Sequence, residues 1–157
     1  RLANGENNTM AAVARSTVYR GWDDLGSTVR KSIDFERASA PNVQLNVAEV
    51  DSRINPGDHS DHLMTAKAAL DAVSDLDCVR RVYYIDYASS KLPENLVAQQ
   101  RDRESSVFAV TLAGVLALDH RTSWHHYDKS YVGRNYFRVE DAAIRCDGGG
   151  TEFAARR

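Results

Sequence analysis

The chain has 157 residues, 43% of them hydrophobic and 27% charged, which is the composition of one ordinary soluble globular domain with enough apolar material for a core. Its 20 basic and 22 acidic side chains are mixed along the sequence and leave a formal charge of −2, so there is no basic footprint for nucleic acid or anionic lipid. The longest apolar stretch, around Val107 to Leu118, is interrupted by Thr111 and Gly114 and falls short of the roughly 20 residues a membrane-spanning helix needs.

In chain order, Leu25, Val29 and Ile33 recur every four residues between Trp22 and Ala38, with charged residues between them, and predict an amphipathic helix. It stops before Pro41, which pushes its predecessor out of helical space, and Val43 to Val50 then alternates like a strand. Ile54-Asn55-Pro56-Gly57-Asp58 is dense in turn formers and reads as a loop; a second helix follows, with Leu63, Ala66, Leu70 and Val73 on one face. Val79 to Asp86 predicts a second strand, Ala88 to Pro93 a loop, and Leu96 to Leu118 a third helix.

A strand-helix-strand unit of this length is normally a right-handed crossover between parallel strands. The expected fold class is therefore α/β, with a three-layer, Rossmann-like, mostly parallel sheet. Two or three strands are few for such a sheet, which leads to the expectation that chain precedes Arg1. The opening at Arg1 fits either a removed signal peptide or a longer N-terminal portion, and leaves cytoplasmic and secreted locations both open. One domain is expected over residues 1–147, with 148–157 a tail behind Gly148-Gly149-Gly150. Cys78 and Cys146 have no metal-ligand or redox spacing; two free thiols and a single bridge in an oxidising compartment both remain open.

The most informative stretch is Asp58-His59-Ser60-Asp61-His62. It puts two imidazoles and two carboxylates where a strand-following loop meets a helix N-terminus, the place where open parallel sheets bind ligands. With helical geometry starting near His59, His59 and His62 share a side and Asp61 projects differently. Spacing alone is also met by Asp58 or Ser60 capping the helix beside two partly exposed histidines.

His59-Ser60-Asp61-His62, followed by Leu63 and an alanine-rich helix, resembles the His-x-Asp-His motif of the PIG-L/LmbE family of zinc-dependent N-deacetylases, and Ile54-Asn55-Pro56-Gly57-Asp58 is similar to its lead-in. Arg1-Leu2-Ala3-Asn4-Gly5, Pro93-Glu94-Asn95-Leu96 and Tyr131-Val132-Gly133-Arg134-Asn135-Tyr136 resemble, in order, shorter elements of a bacterial and fungal branch. The likeness runs from Arg1 to about Glu140, and only the His-x-Asp-His element is strongly specific.

The resemblance implies that His62 ligates Zn2+, that Asp61 orients catalytic groups, and that His59 lies near the scissile amide. It also implies a substrate carrying an N-acetylglucosamine unit: a glycan, a glycolipid or a small glycoside. Arg1 and Asn4 would reach its hydroxyls, unless the terminus simply frays. The family's remaining metal ligands and general base come from an N-terminal His-Pro-Asp-Asp-Glu type motif that this sequence lacks, so the resemblance places that motif before Arg1. Asp23-Asp24 is a poor substitute, because acidic residues at a helix start are ordinary dipole partners.

Outside this stretch, Tyr87 follows the second strand on the side where the histidine loop should emerge. It reads equally as a substrate contact and as a tyrosine with a buried ring and a wet hydroxyl. His125-His126, beside Trp124 and Tyr127, could form a second ligand pair or a sugar-stacking platform, but adjacent histidines on a strand point to opposite faces and read better as an ordinary interfacial cluster; His120 reads as surface. Arg134 and Tyr136 read either as closing the far edge of the pocket or as capping a core strand. The competing class of function is a non-catalytic α/β module that binds carbohydrate or a protein partner, a truncated or decayed relative. The sequence says nothing of oligomeric state.

Overall fold

The structure, a computed structural model, describes residues 2–118 and 126–146. The elements run β1 (Thr9–Ala11), β2 (Val18–Arg20), α1 (Gly21–Arg37), β3 (Val43–Ala48), α2 (Ser60–Ala72), β4 (Val79–Tyr84), a 3-10 helix (Tyr87–Lys91), α3 (Ala98–Ala117), α4 (Tyr127–Tyr131) and β5 (Phe137–Glu140). Among the described residues the protein is a mixed α/β fold with four α-helices and a three-stranded mixed sheet ordered β3-β4-β5. The helices and strands read from Trp22 onward occur in the expected order. Each ends within one or two residues of its expected boundary, as fraying ends do.

The described residues divide into two compact units: one drawn from 2–50, 59–83 and 138–146, the other from 51–58, 84–118 and 126–137. In the first, β1 and β2 form an antiparallel hairpin with Met10 opposite Tyr19. Its strands are three residues long and mostly exposed, so no alternation of apolar residues advertised them. Ile33, from the periodic face of α1, packs on a core of Val73, Leu76, Cys78 and Val79, joined by Val43, Leu45 and Cys146.

Polar contacts tie α1 to α2. Trp22 Nε1 donates to Asp71 over 3.0 Å; Arg30 donates to the Ala72 carbonyl at 3.2 Å and to Asp75 at 2.6 Å, which satisfies an otherwise orphan carbonyl at the end of α2. Asp24 accepts the Arg20 backbone N–H at 2.9 Å, the ordinary employment of an acidic residue at a helix start.

Cys78 and Cys146 are joined as a disulfide across 68 residues of sequence, which decides between the two readings their spacing left open. Backbone bonds hold the C-terminal segment in place for it: Cys146 N–H donates to the Pro41 carbonyl at 3.0 Å, and Ala143 N–H to that of Asp77 at 2.8 Å.

A charged network lies on the same unit. Glu49, just past β3, is fully enclosed, and its carboxylate takes a forked pair of bonds from Arg138 on β5. Arg138 also donates to Glu140 at 2.6 Å and lies 3.6 Å from the centroid of the Tyr83 ring, while the Tyr83 hydroxyl donates to Glu140 at 2.8 Å. A buried carboxylate is tolerable only when paired and hydrogen-bonded, and here a planar fork and an aromatic face provide that.

In the second unit, residues expected in the loop Ala88 to Pro93 begin as the 3-10 helix, with Ser89 N–H and hydroxyl both donating to the Asp86 carbonyl. Two short elements singled out by resemblance clasp each other. Asn95 pairs with both backbone groups of Asn135 at 2.8 Å, and the Gly133 carbonyl accepts the N–H groups of Asn95 and Leu96. Gly133 has a φ of 91°, and a Cβ there would stand 3.0 Å from the Glu94 side chain, so glycine is required. Arg134 donates to the Leu92 carbonyl and Tyr136 to that of Pro93.

His126 is the residue preceding α4, not part of a strand; the aromatic and polar run after it coils into one helical turn. His120, Trp124 and His125 lie outside the described residues, as does the expected tail 148–157.

Candidate metal centre

The loop after β3 is built by its own polar groups. The Asp51 carbonyl accepts the N–H of Ile54 and of Asn55, both at 2.9 Å, and the Asp51 carboxylate is forked by Arg53. Gly57, at a φ of 77°, makes the turn that delivers Asp58. Asn55 is 1% exposed, and its amide donates to Asp58 Oδ2 at 2.8 Å, fixing which way that carboxylate faces.

Helix α2 opens one residue later than the histidine spacing suggested. His59 occupies the N-cap, its backbone extended, and its Nδ1 accepts the Asp61 N–H at 3.2 Å. The capping role expected of Asp58 or Ser60 thus falls to an imidazole. With Nδ1 accepting, the proton of the neutral His59 ring resides on Nε2. The Asp61 carboxylate lies 3.6 Å from the same Nδ1 and is 86% exposed, against 59% for His59. The rings of His59 and His62 stand 5.8 Å apart between centroids.

Asp86 leaves the end of β4, with its carbonyl held by Ser89. Asp58, His62 and Asp86, all half-buried, form a group that could hold a metal ion: each offers one ligand atom, and these atoms lie within 4.8 Å of one another. His62 is the residue the sequence singled out as a ligand. Asp61, assigned an orienting role by resemblance, is outside the group and acts on His59 instead. Asp58 and Asp86 were not read as ligands. The one available signal was positional, since both sit in turns that follow strands, where open sheets collect functional groups.

Tyr87 follows Asp86 directly. Its ring stands 6.0 Å from that of Tyr131, which meets Tyr127 edge-on at 5.1 Å. A hydrogen bond with Tyr127, followed by burial and the neighbouring Tyr127, Tyr131 and Asp58 charges, holds the Tyr87 hydroxyl above its ordinary pKa, so it remains a neutral donor. Arg1, the other residue expected to touch substrate, lies outside the described residues.

No family model, curated protein or solved structure matches this chain. The chemistry of the group rests on its donors. One imidazole nitrogen and two carboxylate oxygens are a hard-to-borderline set suited to a divalent cation such as zinc or manganese, and three protein ligands is the number catalytic zinc sites use. The donor set therefore fits a divalent cation.

Proposed function

We propose that this chain is the metal-bearing part of a PIG-L/LmbE-type hydrolase, which removes the N-acetyl group from an N-acetylglucosamine-type glycan, glycolipid or glycoside with the help of Zn2+. The observation that carries the reading is the convergence of Asp58 and Asp86 on His62, the histidine of the His-x-Asp-His element. In this reading the mixed sheet is part of a three-layer Rossmann-like architecture, with the catalytic groups at its carboxyl edge.

Asp58, His62 and Asp86 would hold the cation, Asp58 and Asp86 departing from the family's pattern by standing in for ligands of its His-Pro-Asp-Asp-Glu type motif, and Asn55 keeps Asp58 turned toward it. When bound, the cation supplies Lewis acidity toward the amide carbonyl. Water adds to that carbonyl carbon, its proton passes to the departing nitrogen as the C–N bond breaks to give acetate and a free amine, and His59 donates a hydrogen bond from Nε2 to the oxygen on which charge develops. Asp61 keeps His59 in this tautomer through its own backbone N–H. The Tyr87 ring offers an aromatic face to a pyranose, and its neutral hydroxyl a donor to a sugar oxygen.

The test measures metal content by mass spectrometry and acetate release from N-acetylglucosamine and its β-1,4 dimer. One equivalent of zinc and release of acetate are expected, both lost in His62→Ala, with metal retained and acetate lost in His59→Ala. Full metal content in His62→Ala removes the site. One equivalent of metal without acetate release from any N-acetylated sugar tried favours the non-catalytic binding module.

A further inference from the structure

We infer that the Cys78–Cys146 disulfide is a thiol-sensitive latch: a small thiol opens it at Cys146, and the segment 141–146 then leaves the core it covers while the sheet stays folded. The two cysteines differ in access. Cys78, just ahead of β4, is 5% exposed and belongs to the buried cluster with Val73, Leu76 and Val79, whereas Cys146 is half-buried and packs against that cluster from outside. Cys146 also borders a hollow of about 530 Å³, walled by Arg37 at the end of α1 and by Ser39, Ala40 and Pro41 of the turn after it. Cys78 is not on that wall, so a molecule entering the hollow meets Cys146 first.

The segment that the bond secures is otherwise lightly held. Residues 141–146 form neither helix nor strand, and Ala142 is the one buried residue among them. Their backbone is tied by Ala143 and Ile144 N–H to the Asp77 carbonyl, at 2.8 and 3.4 Å, and by Cys146 N–H to that of Pro41 at 3.0 Å. The ion pair of Arg80 with Asp141 lies in water and adds little. A segment with so little apolar contact opens locally at small cost once its covalent anchor is cut. β5, directly before it, is held separately by the sheet and by Arg138 on Glu49, so the release stops at Glu140.

The opening is a thiol–disulfide exchange. The thiolate of a small thiol such as glutathione adds to Cys146 Sγ, the S–S bond breaks, and its electron pair passes to Cys78 Sγ, which takes up a proton. In apolar surroundings the Cys78 thiol ionises poorly and is a weak nucleophile, so the adduct on Cys146 persists. A second thiolate then attacks the sulfur of the adduct, and Cys146 leaves and is protonated. Two small thiols are thereby oxidised to their disulfide, and the protein's disulfide is reduced to two thiols. Neither the metal group nor the deacetylase reading bears on this latch.

The experiment incubates the oxidised protein with glutathione in native buffer, caps free thiols with N-ethylmaleimide at intervals and maps both groups by peptide mass spectrometry. Glutathione is expected on Cys146 and maleimide on Cys78. Amide hydrogen exchange of the reduced protein should quicken in 143–146 and stay slow in Val79–Tyr84. Ser39→Trp, which crowds the hollow from an exposed position, should slow the opening at least about threefold, since exchange depends on access to the attacked sulfur. Low urea should leave the rate nearly unchanged. A rate that climbs about tenfold per molar urea, as attack on the unfolded chain would, overturns the inference. So does glutathione on Cys78, failure of glutathione to open the bond, an unaltered rate in Ser39→Trp, unchanged exchange in 143–146, or exchange that quickens throughout β4.

Discussion

Arg138, on β5, lays its guanidinium along the carboxylate of Glu49, and the two differ sharply in exposure: Glu49 is fully enclosed, while the Arg138 side chain keeps 39% of its surface in water. The arginine is therefore the partner that makes the burial of the glutamate tolerable. Its planar fork spans both carboxylate oxygens, and its face rests on Tyr83. Attraction to Glu49 above all, and to Glu140, keeps Arg138 charged at any accessible pH.

Replacing Arg138 by methionine should lower the free energy of unfolding by about 3 kcal/mol, because a buried carboxylate loses its counter-charge while the apolar stem is kept. Urea unfolding checks this. Adding Glu49→Gln to Arg138→Met should restore part of the loss, and a double variant no more stable than the single one would show that the pair is not coupled.

Acid sensitivity follows from Glu140. Its hydrogen bond with Arg138, followed by that from the Tyr83 hydroxyl, holds its carboxyl below the usual glutamate range. The folded state then binds fewer protons than the unfolded one. The stabilisation is complete above the unfolded-state pKa of about 4.3 and is lost as pH falls through the lower folded-state value. Glu140→Gln should lower the unfolding midpoint at neutrality, where this stabilisation is complete, and flatten its dependence on pH below that range. An unchanged acid limb would assign it to other carboxylates.

The disulfide between Cys78 and Cys146 closes a long loop, and reducing it should cost about 4 kcal/mol on the chain-entropy account. Thermal melts with and without reductant measure the loss. Cys78→Ser with Cys146→Ser should match the reduced protein and be indifferent to reductant. A reductant effect surviving in the double variant would point to something other than this bridge.

Asn55 supplies a test of the metal group that leaves its three ligands in place. Asn55→Ala removes the amide that orients Asp58, and zinc affinity should fall by about 10- to 100-fold, as losses of outer hydrogen bonds to ligands do. Calorimetric titration against a competing chelator gives the affinity, and a melting curve separates it from loss of fold at this buried position. Unchanged affinity in a folded variant would place the cation elsewhere.

Much of the helical framework was legible because it is periodic. Leu25, Val29 and Ile33 recur at helical spacing, and Ile33 does pack on the core; Val43 to Val47 alternate as a strand should. The hairpin β1–β2 was invisible, because three-residue exposed strands carry no pattern. Its pairing comes from backbone bonds such as Ala12 N–H to the Thr17 carbonyl. His126 misled for a related reason: one helical turn is too short to impose a period.

By itself the sequence determined the order of elements from Trp22 to Leu118, because hydrophobic spacing is a property of neighbouring residues; His62 stood out as a ligand only through the resemblance of His59-Ser60-Asp61-His62 to a family motif. Only the tertiary structure decided that Asp58 and Asp86 join His62, that Glu49 meets Arg138 across 89 positions, and that the two cysteines pair. Each of those is a contact between groups distant in the chain, or a choice among similar carboxylates. Which one wins is set by the turn that aims it and by the cost of burying a charge or a thiol unpaired, and neither is written in local spacing.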